Sequence, residues 1–277
     1  MAKLDVIETK SYIQDLVIET TRRCNLQCAH CLRGCAENKN INIDYIDDLL
    51  NNVDSIGSIT FSGGEPTLNI EVVKQTLETV QEKQISVQSI YIVTNATIYS
   101  PKLIEYMDEW FKYCYACYYG ETTAFDYDKA ISYIEESGFG LAISIDEFHD
   151  QADDWAKLQY MSKFYYSHSK ETQFYDDYGR PHGIILEGNA ADNFAIEKAF
   201  QVAPLSRYEY EWDKEDNNLS LCYLNVDGRI YPSCDLSYDT QDNIEGNNYI
   251  SKRSLADIIA DESINYMDFC YYNEKIV

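Results

Sequence analysis

Three cysteines, Cys24, Cys28 and Cys31, stand four and then three residues apart just past the apolar run Leu16-Val17-Ile18, and no other stretch restricts the chemistry of this chain so strongly. The run reads as a buried strand over 15–21, so the cysteines occupy the loop leaving its C-terminal end. A disulfide can use only two of the three, and structural zinc sites usually draw four ligands from paired knuckles. Three thiolates on one tight loop suit an iron–sulfur cluster with one iron left without a protein ligand. A zinc site and unliganded thiols are the alternatives at this point.

Downstream the apolar positions switch between two periods. Ile43, Ile46, Leu49, Leu50 and Val53 recur at helical spacing, 58–62 reads as a strand, and 69–84 carries Val72, Val73, Leu77 and Val80 on one helical face. A third strand is expected over 89–94. A third helix follows over 101–113, with Pro101 in the first turn, where proline is tolerated. After an irregular aromatic stretch over 114–128 the pattern predicts a helix near 126–137 and a strand over 141–145. A helix over 151–168, a polar loop over 169–182 and a strand over 183–187 come next. Strands alternating with helices through short connections imply parallel strands joined by right-handed crossovers. From residue 205 the pattern changes to a hairpin, 220–226 and 229–231 about Asp227-Gly228, and a closing helix over 254–259 capped by Ser254. At 277 residues and 45% apolar, the chain can form one large α/β core over 12–200 with a small appendage over 205–277.

The loop from Thr20 to Cys31 and the turn Gly63-Gly64-Glu65-Pro66, which ends the second strand, together resemble the two signatures of the radical S-adenosylmethionine (radical SAM) superfamily. These are CxxxCxΦC, with His30 in the usually aromatic Φ position, and GGE. Alone, Gly63-Gly64-Glu65 would read as a plain strand-to-helix turn. Its register with the cysteines carries the resemblance, which covers residues 12–190 well and the rest loosely. The resemblance implies a partial (β/α)6 TIM-like barrel with its site at the C-terminal rim of the strands. It also implies a 4Fe–4S cluster on Cys24, Cys28 and Cys31, with S-adenosylmethionine chelated at the open iron and its amino group received by Gly63, Gly64 and Glu65. Reductive cleavage would then give methionine and a 5′-deoxyadenosyl radical that takes a hydrogen from a substrate.

In that family the ends of later strands hold the ribose, which makes Asn95, Ser144 and Asp146 candidates; capping or turn formation is the alternative for each. Glu187, Gly188 and Asn189 are candidates for the adenine or substrate side, and Arg33 for steadying the cluster loop. His149 is the candidate acid/base or substrate-contacting catalytic residue, although a lone loop histidine is as readily a solvated side chain. Cys35 is ambiguous. Cys114 and Cys117 have knuckle spacing but lie in an aromatic helical stretch, where free buried thiols are common. The segment from Cys222 to Cys234 resembles the hairpin of SPASM or twitch extensions, which hold auxiliary iron–sulfur clusters. Cys222, Cys234 and Cys270 are too few for two such clusters, so one auxiliary cluster or a metal-free hairpin is expected. The likeness favours a peptide or protein side chain as substrate, ahead of a small metabolite or nucleotide. A non-catalytic iron–sulfur or zinc scaffold is the alternative from another class, and the GGE turn speaks against it.

Lysine and arginine number 22 against 47 acidic residues, a net charge of −25. That field repels a nucleic-acid backbone, so no such partner is expected. No apolar run approaches the roughly 20 residues that span a bilayer, and Met1-Ala2-Lys3-Leu4-Asp5 lacks the charged-then-apolar form of a signal peptide. Nine cysteines then point to metal ligation or free thiols in a reducing, cytoplasmic setting. The resemblance adds an electron donor, such as flavodoxin or ferredoxin, as an expected partner. Tyrosine, at 25 residues, exceeds phenylalanine and tryptophan together, a surplus suited to rings half buried with a polar tip.

Overall fold

The apolar run before the cysteines forms β1 (Ser11–Thr21), and the rest of the sheet is assembled on both sides of it. The computed structural model describes residues 11–98, 100–120, 126–144, 166–169, 184–185, 187–193, 199–200, 212–213, 218–261 and 263–264. In chain order β1 is followed by α1 (Ile43–Leu50), β2 (Val53–Gly63), a 3-10 turn (Pro66–Asn69), α2 (Glu71–Glu82), β3 (Ser86–Thr94), α3 (Pro101–Tyr119), α4 (Tyr127–Ser137), β4 (Gly140–Ser144) and β5 (Tyr166–Ser169). Then come β6 (Ile184–Ile185), α5 (Asn189–Asn193), β7 (Ala199–Phe200), β8 (Trp212–Asp213), β9 (Asn218–Leu224), β10 (Ile230–Tyr231), α6 (Tyr238–Asn243) and α7 (Leu255–Ala260).

Six strands run parallel in the order β9-β1-β2-β3-β4-β5, with β8 and β10 antiparallel to β9. The sheet stays open, giving the parallel α/β architecture that the strand–helix alternation implied and that a partial barrel, expected from the resemblance, is built on. Strands buried on both faces need continuous apolar side chains. Accordingly Ile13, Leu16, Ile18, Ile56, Ile59, Phe61, Ile90 and Ile92 are fully excluded from solvent. The predicted face of α2 is the buried one, Val72, Val73, Leu77 and Val80, and Trp110 of α3 donates its indole N–H to the Val73 carbonyl at 2.9 Å. Asp126 caps α4 by accepting from the Lys129 N–H, and Gly138, at φ 68°, ends it in the left-handed region.

Several boundaries differ from the sequence reading for identifiable reasons. Helix α1 stops at Leu50, and Val53 opens β2 instead of closing the helix. Helix α3 runs through Cys114 and Cys117 to Tyr119, because the aromatic side chains of that aperiodic stretch stack there. Phe111 and Tyr115 pack within 5.8 Å of each other and edge-on to Tyr133, so tertiary contacts continue the helix. Cys114 is buried on that helix, so the pair is not a knuckle on a loop. Residues 166–169, where the expected helix over 151–168 gave way to the expected loop, form β5 alongside β4. The strand expected over 183–187 appears as β6, which pairs with β7 in a separate two-stranded sheet. The place beside β1 is taken by β9, so the C-terminal segment enters the main sheet through this strand, paired from Asn218 to Leu224. Asp146, His149 and Cys270 lie outside the described residues.

Candidate active site

Cys24, Cys28 and Cys31 are half-buried thiols in no disulfide, and they line a cavity of about 680 Å³ at the C-terminal end of β1. Local turns shape the loop, with Cys31 N–H donating to the Cys28 carbonyl at 3.2 Å and Gly34 N–H to the Cys31 carbonyl at 3.3 Å. The Leu26 N–H points at the Cys24 sulfur at 3.4 Å, and the Asn95 amide at 4.0 Å. Burial, opposed in part by the Leu26 N–H, raises the Cys24 thiol above its ordinary range, so metal binding there must displace a proton. Among the described residues no three His, Cys, Asp or Glu side chains converge on one ion position, as a zinc site requires. A four-iron cluster makes no such demand, since each thiolate binds a different iron.

The GGE turn packs against the take-off of this loop. Gly63 sits at φ 137°, and a Cβ there would lie 2.3 Å from the Thr21 carbonyl oxygen; one on Gly64 would lie 2.2 Å from that of Arg23. Only glycine permits this approach, and it lets Gly64 N–H and Glu65 N–H donate to the Thr21 and Arg23 carbonyls at 2.7 Å each. Gly63 and Gly64 line the cavity with the cysteines, as do Asn95 and Ser144. The Glu65 side chain is buried beside the turn. It is 1% exposed, and its carboxylate accepts from Thr67 N–H (3.1 Å), Thr67 Oγ1 (2.6 Å), Thr94 Oγ1 (2.7 Å) and Asn95 N–H (2.9 Å). One carboxylate thereby ties the turn to the end of β3. Ala96, at φ 51°, then turns the chain so that Asn95 reaches Asn25 at 3.0 Å. Replacing Glu65 with alanine strands these donors in a buried site, and a loss of about 3 kcal/mol in urea unfolding is expected. Glu65→Gln, which keeps an acceptor, should lose less than half of that.

The segment 187–193 clamps the loop from the opposite side. Asn189 N–H donates to the Cys31 carbonyl at 3.0 Å and its side-chain amide to the Cys28 carbonyl at 3.2 Å, while Gly188 packs so tightly on Gly34 that a Cβ would come within 2.3 Å of its nitrogen. Glu187, 4% exposed, accepts from Ser237 N–H at 3.2 Å and Thr240 Oγ1 at 2.9 Å. These three residues, candidates for the adenine or substrate side, thus join the cysteine loop to the C-terminal segment.

The profile of the radical SAM superfamily matches residues 18–172. The chain belongs to the radical SAM superfamily. An uncharacterised protein of Methanocaldococcus jannaschii is 31% identical over 102 residues, 35% of this chain and 35% of the relative. The GTP 3′,8-cyclase of Clostridium acetobutylicum is 38% identical over 92 residues, 31% of this chain and 28% of the relative. The chain therefore spans about a third of the length of these curated relatives. Among solved structures, BtrN in complex with AdoMet and 2-DOIA is 14% identical at a TM-score of 0.47, covering 92% of this chain and 85% of that one.

The iron–sulfur cluster and S-adenosylmethionine that membership of the radical SAM family implies fit the residues present. Three thiols outside any disulfide share a cavity with a glycine turn that no side chain obstructs. Arg22 and Arg33 bracket the cysteines. Arg22 is fully buried and pairs with Glu19 at 2.9 Å, Asp242 at 2.9 Å and Glu37 at 3.2 Å. Glu19 also accepts from the Tyr223 hydroxyl. Arg33 donates to the Leu236 carbonyl at 2.6 Å and stacks on the Tyr223 ring at 4.9 Å, so it does steady the loop, against the C-terminal segment. Burial alone would lower both guanidinium pKa values, but the surrounding carboxylates and phenols raise them. Glu19, Arg22, Asp242 and Tyr238 escaped the sequence reading. The one signal available was a Glu within an apolar strand, followed three residues later by Arg. In the hairpin, Cys222 is fully buried on β9 opposite Leu16, and burial pushes its thiol up to about 12. Cys234 is half-buried beside Asp235.

Proposed function

We propose that this radical SAM protein holds a 4Fe–4S cluster on Cys24, Cys28 and Cys31, cleaves S-adenosylmethionine reductively and abstracts a hydrogen from a peptide or protein side chain. The observation that carries the reading is one cavity lined by three thiols and by the Gly63-Gly64 backbone. When bound, the cluster supplies the electron that splits the sulfonium bond into methionine and a 5′-deoxyadenosyl radical. The chain's own part is to present donors and acceptors around the cofactor. The Gly63 and Gly64 backbone offers the surface for the amino group, Glu65 fixes that backbone, and Asn95 and Ser144 supply polar atoms at the strand ends for the ribose. An acidic chain whose described cysteines form no disulfide suits a reducing cytoplasm and an electron donor of the flavodoxin or ferredoxin kind. Anaerobic reconstitution followed by dithionite and S-adenosylmethionine should yield 5′-deoxyadenosine; a reconstituted wild type that yields none would overturn the reading.

The hairpin likeness around Cys222 to Cys234 favours a peptide or protein substrate. A nucleotide is the second reading, favoured by the local identity to a GTP 3′,8-cyclase. Offering GTP and, separately, short peptides encoded beside the gene decides between them, since only the true substrate should change mass together with 5′-deoxyadenosine release.

A further inference from the structure

Tyr238, the first residue of α6, lies against the cysteine loop although it is more than two hundred residues away in sequence. Its backbone N–H donates to the Arg33 carbonyl at 3.0 Å, and its ring rests on the Arg22 guanidinium at 4.5 Å. The residue therefore touches the chain just before Cys24 and just after Cys31, and Tyr238 lines the same cavity as the three thiols. It is 3% exposed, and its hydroxyl is buried with no hydrogen-bond partner. Buried hydroxyls almost always find a partner, because one left unpaired costs about 1–3 kcal/mol. By contrast the neighbouring Tyr223 and Tyr231 hydroxyls donate to Glu19 and to the Gln241 carbonyl.

We propose that the Tyr238 hydroxyl donates a hydrogen bond to the iron–sulfur cluster held by Cys24, Cys28 and Cys31, on its Cys31 side, and thereby raises the cluster's reduction potential. The assignment rests on the cluster reading above. A phenol is protonated at neutral pH, and toward a sulfur that carries no hydrogen it acts as the donor. A donor to sulfur favours the reduced, more negative cluster, since hydrogen bonds to the sulfurs are among the levers on potential. The C-terminal segment would then tune the site as well as cover it.

The test is a redox titration of the reconstituted cluster, read by EPR, in wild type, Tyr238→Phe and Tyr231→Phe. In Tyr238→Phe the phenyl ring can still cover Arg22, so iron content should match wild type, and the apo-protein, relieved of an unpaired buried hydroxyl, should melt no lower than wild type. Loss of a hydrogen bond worth about 1 kcal/mol should lower the ratio of reduced to oxidised cluster about fivefold at fixed solution potential, ~40 mV at 59 mV per decade. Tyr231→Phe, which removes a buried hydroxyl outside the cavity, should leave the potential unchanged. In deuterated buffer, wild type should lose an exchangeable proton coupling to the cluster that Tyr238→Phe lacks from the start. An unchanged potential in Tyr238→Phe, an equal shift in Tyr231→Phe, absence of that coupling in wild type, or an effect on S-adenosylmethionine affinity alone would each overturn the assignment. A wild type that loads no cluster would instead overturn the underlying reading and this assignment with it.

Discussion

A Cys28→Ala variant is expected to remain folded and yet to release no 5′-deoxyadenosine above background. Cys28 lies mid-loop and half-buried, so trimming its sulfur removes little packing, and the change in stability should stay within about 1 kcal/mol. The chemical loss is complete because two thiolates leave two irons of the cluster without a protein ligand, where the cofactor can occupy only one. Iron after anaerobic reconstitution should fall from about four per chain to background. A Cys28→Ala protein that still cleaves S-adenosylmethionine would sink the assignment of the loop. In the triple variant of Cys24, Cys28 and Cys31 to alanine the expected residual iron is none, because Cys222 lies in the core with its thiol proton held by burial. Residual iron near a second full complement would place an auxiliary cluster in the C-terminal segment.

Replacing Arg22 with methionine should have the largest effect on folding. Arg22 and Glu19 are both fully excluded from solvent, and removing the guanidinium leaves Glu19 a buried carboxylate without its ion-pair partner, with the Tyr223 hydroxyl and the charge of Arg33 remaining to it. Breaking a buried pair in this way costs about 3–5 kcal/mol. The same substitution leaves Asp242 with Lys39 alone among the described residues and removes the platform under Tyr238, contacts that together anchor α6 to the cysteine loop. Urea unfolding should therefore show a large drop in midpoint for Arg22→Met. The double variant Glu19→Gln/Arg22→Met should recover more than half of the loss, because no unpaired charge then remains. Equal stabilities for the single and double variants would show that Glu19 does not depend on Arg22.

Much of the site was legible because the features that define it are local. The spacing of Cys24, Cys28 and Cys31 within one loop, and the two glycines before Glu65, are properties of short stretches that no distant contact can alter. The same holds for the apolar faces of α1 and α2, where side-chain period decides the element. The motif around Glu65 is equally local, but the partners of its carboxylate, Thr94 and Asn95, stand about thirty residues on and come to it only through the fold. The aromatic run after Tyr113 had no clear period, and only its packing on Tyr133 makes it helical.

By itself the sequence determined a thiol loop at the end of a parallel strand, a glycine turn at the end of the next, and an open α/β sheet to carry both. These follow from spacing, periodicity and the backbone freedom of glycine. Tertiary structure alone decided that β9 lies beside β1, that Glu187 to Asn193 grip the cysteine loop, and that Tyr238 lies against it with an unpaired hydroxyl. Each of those contacts joins residues 150 or more positions apart. Such contacts form because buried charges and backbone groups must find partners wherever the fold brings them, and no local pattern in the chain encodes which partner that will be.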